Sequence, residues 1–148
     1  MGSTHLSLHY HVVFSTKERI RSIAPAWRDR LHRFLGGCIR QLEGTPLEVG
    51  GFEDHVHLLF GLRATHRLAD ILREIKSASS SMVHRELGGR LFGWQEGYGG
   101  FTVSASGVEA VRAYIRNQEE HHRRRTFEEE YRALLEAHGI EFDERFLW

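Results

Sequence analysis

The chain has 148 residues, the size of one compact domain with a full hydrophobic core. Hydrophobic residues make up 41% of it and charged residues 27%, which excludes long disorder and fibrous repeats. No apolar run approaches the roughly 20 residues that a membrane helix needs. The single cysteine, Cys38, excludes an internal disulfide and a multi-thiolate zinc site. We therefore expect one domain, residues 1–148, that acts in the cytoplasm and has no membrane partner.

The net charge is zero, but the charges are unevenly distributed along the chain. Residues 17–40 contain seven Lys or Arg and two acidic residues, whereas residues 109–148 contain seven basic and ten acidic residues. A basic face beside an acidic tail fits this distribution, and a basic face is typical of phosphate binding. Helices with charged, solvated sides explain the same counts equally well.

The first two thirds of the chain alternate between strand and helix patterns. From His5 to Ser15 apolar and polar residues alternate with a period of two, which predicts a half-buried strand. Pro25 precedes apolar residues at helical spacing, and that pattern stops at 44–46. The remaining predicted elements of this part are a strand around 47–52, a strand at 55–60, a helix after Thr65 that closes at Gly88, and a strand near 101–103.

This order of strand, helix, strand, strand, helix, strand indicates an α+β fold with the split β-α-β architecture of ferredoxin-like domains, over residues 5–104. Such a sheet carries its two helices on one face, which leaves a helix-free side. Two further helices are predicted after it, at about 107–122 and 127–138. Each opens on a capping-box pattern: Ser106 with Glu109, and Thr126 with Glu129.

Two histidines share one face of the predicted third strand. In Asp54-His55-Val56-His57 the period of two directs both imidazoles to the same side. Two residues of strand rise are about 6.6 Å, so both rings can bind one ion at about 2.0 to 2.2 Å each. A histidine pair on a wet sheet face is the alternative. Because Asp54 points away from both rings by the same alternation, we expect it to be a turn residue or to support a histidine rather than to bind the ion.

A second group of polar residues recurs at the spacing of one helix face. It consists of Tyr114, Gln118, His121 and His122. A tyrosine can act as a nucleophile that stores a phosphodiester as a covalent intermediate, provided that a metal ion or a base lies nearby. The histidine pair could hold that ion. An interfacial tyrosine with polar neighbours explains the spacing at least as well.

Three short segments form a pattern through their order and their spacing along the chain. They are Asp54-His55-Val56-His57, Trp94-Gln95-Glu96-Gly97-Tyr98 before Phe101, and Tyr114-Ile115-Arg116-Asn117-Gln118 followed by His121-His122. Together they resemble the small single-tyrosine HUH transposases of the insertion-sequence 200/605 class. The opening segment from Tyr10 to Arg19 looks like the first strand of that family, and the resemblance extends from about His5 to Trp148.

The resemblance implies a metal-dependent enzyme that nicks and rejoins single-stranded DNA at the hairpin-bearing ends of a mobile element, through a 5′-phosphotyrosine intermediate. It implies that His55, His57 and Gln118 bind the metal ion and that Tyr114 is the nucleophile. It also implies a homodimer in which the tyrosine helix of one subunit completes the metal site of the other.

The chemistry of these side chains agrees with the implied roles. An ion held by two imidazoles and an amide oxygen keeps open positions for a phosphate. Phosphate chemistry favours Mg²⁺ or Mn²⁺, although imidazoles also accept Zn²⁺. A phosphotyrosyl bond conserves the energy of the phosphodiester, so rejoining needs no ATP. The absence of a glycine-rich loop ending in Lys-Ser or Lys-Thr agrees with this expectation.

We expect Lys17, Arg19 and Lys76 to contact the phosphates of the DNA. Tyr98 could stack on an unpaired base. Solvated basic side chains and a packed aromatic ring are the alternatives at these positions.

Two other functions stay open at this point. One is a single-stranded nucleic-acid-binding domain of the same fold, for instance a domesticated relative that no longer transposes. The other is a metal-dependent hydrolase that uses the His-x-His pair and water, which would need further acidic ligands. A covalent protein–DNA adduct separates these functions from the transposase.

Overall fold

The computed structural model describes residues 2–147. In chain order its strands and α-helices are β1 (His9–Ser15), α1 (Arg28–Gln41), β2 (Thr45–Gly51), β3 (His55–Gly61), α2 (Leu68–Glu86), β4 (Gly99–Val103), α3 (Val108–Arg116), α4 (Gln118–His121) and α5 (Phe127–Ala137). The predicted α+β class and the order of its first six elements are therefore confirmed. Within residues 2–147, no helix is both long enough and apolar enough to span a bilayer.

The four strands form one sheet in the order β2-β3-β1-β4, and every neighbouring pair is antiparallel. The connection through α1 therefore leads from β1 across β3 to β2, and the connection through α2 leads from β3 across β1 to β4. Each connected pair of strands is parallel, with one antiparallel strand between its members. This is the split β-α-β arrangement, and it puts the start of β3 next to the end of β1.

Alternation along the two central strands divides the core into two parts. Val12, Val56 and Leu58 lie with α1 and α2 in the larger cluster of buried side chains. On the opposite face, Val13 and Phe101 pack with side chains from α5. The expected helix-free face is thus covered, because α5 has its own apolar stripe to bury and α3 lies against the sheet. The histidines that alternate onto this face are enclosed rather than solvated.

The tyrosine-bearing segment forms two helices instead of the single helix expected at about 107–122. Asn117 lies between α3 and α4 with φ −98° and ψ 21°, and its N–H is shared between the carbonyl oxygens of Ala113 and Tyr114. Asparagine is unfavourable in the interior of a helix, because its side chain hydrogen-bonds to nearby backbone groups in turns and at helix ends. The helix is therefore interrupted immediately before Gln118.

One of the two expected capping boxes is present. At the start of α5 the Thr126 hydroxyl accepts from the Glu129 N–H, and the Glu129 carboxylate accepts from the Thr126 N–H. The expected box at Ser106 is wrong, because Ser106 lies inside a short 3₁₀ turn and pairs with the Ser104 hydroxyl at 3.1 Å. Gly107 precedes α3 in its place.

Helix α3 lies unusually close to β2 at Gly50. A Cβ atom built there would be 2.7 Å from Cγ2 and 2.7 Å from the carbonyl oxygen of Ile115. An ion pair fixes the same contact, since Arg116 Nε lies 2.8 Å from Glu48 Oε1. The absence of a side chain at Gly50 thus determines how near the tyrosine helix comes to the sheet.

Gly50→Ala is therefore expected to lower the free energy of unfolding by about 1 to 3 kcal/mol, because the added methyl group must displace α3. Gly37→Ala is the matched control: it lies within α1 with no atom within 4 Å of the added Cβ. There alanine is expected to be neutral or to stabilise by up to about 1 kcal/mol. Chemical denaturation of both variants measures the difference, and equal stabilities would contradict the close contact.

Candidate functional site

The two histidines of the His-x-His pair lie at the start of β3, and both side chains are fully buried. His55 Nδ1 is 2.8 Å from Asp54 Oδ1, and His57 Nδ1 is 2.8 Å from Nε2 of His11 on β1. Each ring therefore has a polar partner at Nδ1 and directs Nε2 towards the C-terminal helices. The wet sheet face considered as an alternative is excluded by this burial, and Asp54 contacts His55 as a supporting residue.

Gln118 brings an amide group to the histidine pair. Its side chain is only 1% exposed, and Oε1 lies 2.9 Å from His55 Nε2 and 3.1 Å from His122 Nε2. Its amide Nε2 donates to the Glu130 carboxylate at 2.9 Å. The three residues expected to bind metal are thus brought into one cluster, with His57 joined to the other two through Glu130.

Glu130, on α5, is a central member of the cluster that the sequence analysis did not single out. Its Oε1 lies 3.0 Å from His57 Nε2 and 3.3 Å from His55 Nε2, and the residue is 3% exposed. A signal for it was present in the sequence: Glu130 follows Phe127 by three positions and precedes Leu134 by four, so it lies on the apolar stripe of the helix. A carboxylate in that position needs buried polar partners.

The donor atoms of this cluster fit a divalent metal ion. His55, His122 and Glu130 each offer a ligand atom, and these atoms lie within 4.8 Å of one another. Imidazole nitrogens together with carboxylate and amide oxygens are common donors to such ions. The hydrogen bonds at Nδ1 of His55 and His57 are the support that metal-binding histidines normally have.

Tyr114 reaches the same cluster from α3. Its hydroxyl donates to the Glu130 carboxylate, and its ring centre lies 5.7 Å from that of His57 and 4.6 Å from that of His121. Burial and the negative charge of Glu130 raise the pKa of the phenol above its ordinary value. Near neutral pH Tyr114 is therefore a neutral phenol in contact with the groups that could bind an ion.

The buried titratable groups take different charge states. Burial alone would lower the pKa of His55, but hydrogen bonds to Asp54 and Glu130 outweigh it and raise the pKa to about 9. Burial lowers the pKa of His57 and brings the pKa of His11 to about 3. Burial would raise the pKa of Glu130, but hydrogen bonds from the surrounding imidazoles hold it well below its usual range. These directions favour an ionised Glu130 beside a protonated His55.

The raised pKa of His55 predicts how the stability of the metal-free protein depends on pH. The imidazole titrates near 6.5 in the unfolded chain and near 9 in the folded chain. Between these values the folded chain binds more protons, so the stabilisation is complete below pH 6.5 and is lost as the pH rises to 9. We expect the free energy of unfolding in a chelating buffer to fall by on the order of 2 kcal/mol over this interval.

Denaturant unfolding at a series of pH values measures this effect, with His55→Gln as the control. The variant lacks the titrating group and should show a smaller decrease. Parallel pH profiles for the two proteins would contradict the assignment of the shift to His55.

Two of the residues predicted to contact DNA, Lys17 and Arg19, lie in the turn that follows β1. Lys17 is exposed, whereas Arg19 forms an ion pair with Glu128. The Thr16 N–H donates to the carbonyl oxygen of Asp54 at 2.8 Å, so this turn is attached to the residue next to His55. Both predicted side chains are therefore near the histidine end of the sheet.

Lys76 and Tyr98, the other two, lie around the loop before β4. The Lys76 ammonium donates to the carbonyl oxygens of Gln95, at 3.0 Å, and Gly97, and it lies 5.7 Å from the centre of the Tyr98 ring. Burial lowers the pKa of Lys76 to about 8. Lys76 thus fastens this loop to α2, a contact that the sequence did not reveal.

Comparison with known proteins identifies one family. The family model described as "Transposase IS200 like" matches residues 4–118, which include Tyr114 and Gln118 but not His122 or Glu130. The ISDra2 transposase TnpA of Deinococcus radiodurans is 29% identical over an alignment of 119 residues, and the match covers 75% of this chain and 84% of that relative.

Two solved structures share the fold. The crystal structure of a candidate transposase from Deinococcus radiodurans R1 has a TM-score of 0.61 and 26% identity, and the match covers 80% of this chain and 96% of that one. A REP-associated tyrosine transposase bound to a REP hairpin has a TM-score of 0.60 at 12% identity, covering 82% and 74% respectively, and shows the fold alone. Since the family model spans more than half of its residues, this chain belongs to the IS200-like transposase family.

Proposed function

We propose that this transposase nicks and rejoins single-stranded DNA at the hairpin-bearing ends of a mobile element, with Tyr114 as the nucleophile. The observation that carries the proposal is the hydrogen bond of the Tyr114 hydroxyl to Glu130, within the cluster that holds His55, His57 and Gln118. Transfer of a phosphoryl group to a phenol needs such polar groups beside the attacking oxygen. The REP hairpin bound to the structural relative supports a hairpin substrate. We propose that the protein meets this DNA in the cytoplasm.

In the proposed cleavage the Tyr114 oxygen attacks the scissile phosphorus, and the bond from phosphorus to the 3′ oxygen breaks. The phenolic proton passes to a neighbouring acceptor, and the 3′ oxygen leaves as a hydroxyl group after taking up a proton. The 5′ phosphate is then joined to Tyr114. In rejoining, a 3′ hydroxyl attacks this phosphotyrosine and releases the phenol, so one phosphodiester is exchanged for another and no ATP is needed.

We propose that His55, His57 and Gln118 hold a divalent ion, Mg²⁺ or Mn²⁺, and that His122 and Glu130 belong to the same ligand set. The convergence of their donor atoms supports this assignment. When bound, such an ion polarises the phosphate and stabilises the departing oxygen. The protein orients the ligands through the hydrogen bonds at Nδ1 of its two strand histidines.

We also propose that Lys17 and Arg19 contact phosphates close to the scissile one, and that Lys76 and Tyr98 contact DNA farther along. The attachment of the Lys17 turn to the residue beside His55 supports the first pair. The Lys76 ammonium donates to two carbonyl oxygens, so contact with DNA there requires a phosphate to replace them.

The experiment that tests the proposed function is a search for a covalent adduct. The protein is incubated with a hairpin oligonucleotide labelled on its 3′ side and resolved on a denaturing gel. We expect a labelled protein band with Mn²⁺ and none in excess chelator. Full activity in chelator would exclude the metal.

The same experiment separates the other functions. Intact DNA that is bound but never cleaved would identify a binding domain. Free 5′-phosphate ends without an adduct would identify a hydrolase, for which Glu130 supplies the acidic ligand that the sequence seemed to lack.

We further propose a homodimer that shares its sites, as the family resemblance implies. When two subunits exchange a helix, that helix makes with the partner the same contacts that it makes within one chain. The α3 of one subunit would then pack on β2 of the other, as α3 packs on β2 within this chain. Mixing inactive Tyr114→Phe with inactive His57→Ala protein is then expected to restore adduct formation through heterodimers. If subunits exchange and the mixture stays inactive, each chain uses its own Tyr114.

A further inference from the structure

Two cavities lie on either side of the cluster. One, of about 490 Å³, is bounded by Asp54 and His122; the other, of about 470 Å³, is bounded by Tyr114 and Glu130. Arg125 contributes to the walls of both. Both cavities therefore border members of the cluster, and Arg125 lies at the edge of each.

The first cavity, here called the arginine cleft, is lined by Arg19, Arg21 and Arg123–Arg125. Acidic residues also line it: Asp54 contacts His55, Glu128 pairs with Arg19, and Glu18 and Glu129 complete the set. Arg123 pairs with Glu120 at 3.2 Å, and Arg125 donates to the carbonyl oxygen of Glu129 at 3.2 Å, so a phosphate would compete with these contacts. The three consecutive arginines lie in the turn between α4 and α5 and are exposed. This turn thus offers repeated guanidinium groups at the rim of the site.

An aromatic ring lies on the wall of the same cleft. Phe52 is stacked on His122, with ring centres 5.6 Å apart and an angle of 10° between the planes. The Arg28 guanidinium lies 5.0 Å from the centre of the Phe52 ring. Phe52 is therefore engaged within the protein, and the guanidinium groups of the cleft are the groups that can contact phosphates.

We propose that the arginine cleft binds the single strand next to the scissile phosphate, with Arg123–Arg125 contacting successive phosphates. The proposal rests on the proposed function, because it uses the same site and names the path of its substrate. Phe52 already has His122 and Arg28 against its ring, so the expected contacts are those of the guanidinium groups with the flexible backbone of an unpaired strand. Binding at this surface is governed by phosphate contacts and is therefore sensitive to salt.

The test measures the binding of a short unstructured oligonucleotide by fluorescence anisotropy at several salt concentrations. Replacing Arg123, Arg124 and Arg125 together by glutamine should reduce the slope of log affinity against log salt by about 2, since each lost contact to a single strand contributes about 0.7. The matched control removes three exposed arginines from the helix layer: Arg33, Arg73 and Arg85. Its slope should equal that of the wild type.

A triple Arg→Lys variant at 123–125 should keep the wild-type slope, which shows that the turn still folds. Equal slopes for the glutamine variant and the wild type, or equal decreases in the variant and its control, would overturn the cleft. Adduct formation by the wild-type protein is scored separately. A wild type without adduct overturns the proposed function, whereas unchanged binding by the glutamine variant overturns the cleft alone.

A different observation carries a second inference, about His11. This residue is 4% exposed, and its ring is stacked on that of His57, with centres 5.1 Å apart and the Nε2 to Nδ1 contact described above. His57 Nε2 faces a carboxylate oxygen of Glu130, so a neutral His57 that donates there accepts at Nδ1 from His11. A His57 that offered its Nε2 lone pair to an ion would carry the proton on Nδ1, and His11 would then have to accept.

We infer that His11 is a positioning residue that lets His57 present either a proton or a lone pair to the centre of the site. Only a side chain that both donates and accepts can do this. His11→Gln keeps both capacities, because an amide can turn, whereas His11→Leu removes both.

Calorimetric titration with Mn²⁺ tests the inference without any measurement of activity. We expect His11→Leu to lose about 10- to 100-fold in affinity, the usual cost of removing a partner of a metal-binding histidine. His11→Gln should stay within a few-fold of the wild type. Equal affinities of the two variants, whether high or low, would overturn the role.

Discussion

Tyr114→Phe is expected to abolish the covalent adduct and to reduce DNA cleavage by at least about 10³-fold. The change removes only the oxygen that would attack phosphorus, while the ring keeps its contacts with His57 and His121. Tyr98→Phe is the matched control, because Tyr98 lies in the loop before β4 and its ring faces Lys76 of α2 rather than the histidine cluster. That variant should still form the adduct, with at most weakened DNA binding or cleavage.

Peptide mapping of the trapped adduct identifies the attacking residue directly. A 5′ phosphate should be found on Tyr114, with a free 3′ hydroxyl on the released strand. The other tyrosines are explained by packing: Tyr10 against Phe60 and Tyr131 against Phe127. A label on Tyr98, or a 3′-phosphotyrosine, would overturn the assignment.

His55→Ala is expected to remove cleavage while hairpin binding stays within a few-fold of the wild type. The reason is that His55 Nε2 lies at the centre of the donor set, whereas phosphate contacts elsewhere dominate affinity. Cleavage and hairpin binding are measured on the same preparation with Mn²⁺ present.

A histidine outside the cluster gives the control for this prediction. His66 lies in the loop that precedes α2, and its Nε2 is 2.8 Å from the carbonyl oxygen of Leu42. His66→Ala should therefore cleave at a rate close to that of the wild type. Substantial cleavage by His55→Ala would remove the histidine from the proposed metal site.

The histidine pair could be predicted because its geometry depends only on local sequence. A strand repeats every two residues, so Asp54-His55-Val56-His57 determines which side chains share a face. The same reasoning placed Tyr114 and Gln118 on one side of a helix. It did not reveal the break at Asn117, which depends on a competition between turn and helix at a single residue.

Glu130 could not be assigned to the site in this way, because its partners are distant in the sequence. It is 73 residues from His57 and 16 from Tyr114, and only the folding of α5 onto the sheet brings them together. The arginine cleft was hidden for a related reason. It combines arginines of the basic N-terminal segment with arginines of a C-terminal segment whose total charge is negative, so sums by segment conceal it.

The hydrogen bonds of Glu130 join separate parts of the chain. This one carboxylate accepts from an imidazole of β3, an amide of α4 and the phenol of α3. Because each donor would lose a buried partner if the carboxylate moved away, displacement of α5 would disturb all three elements at the same time. The position of the tyrosine is therefore coupled to the docking of a helix that begins after it in the chain.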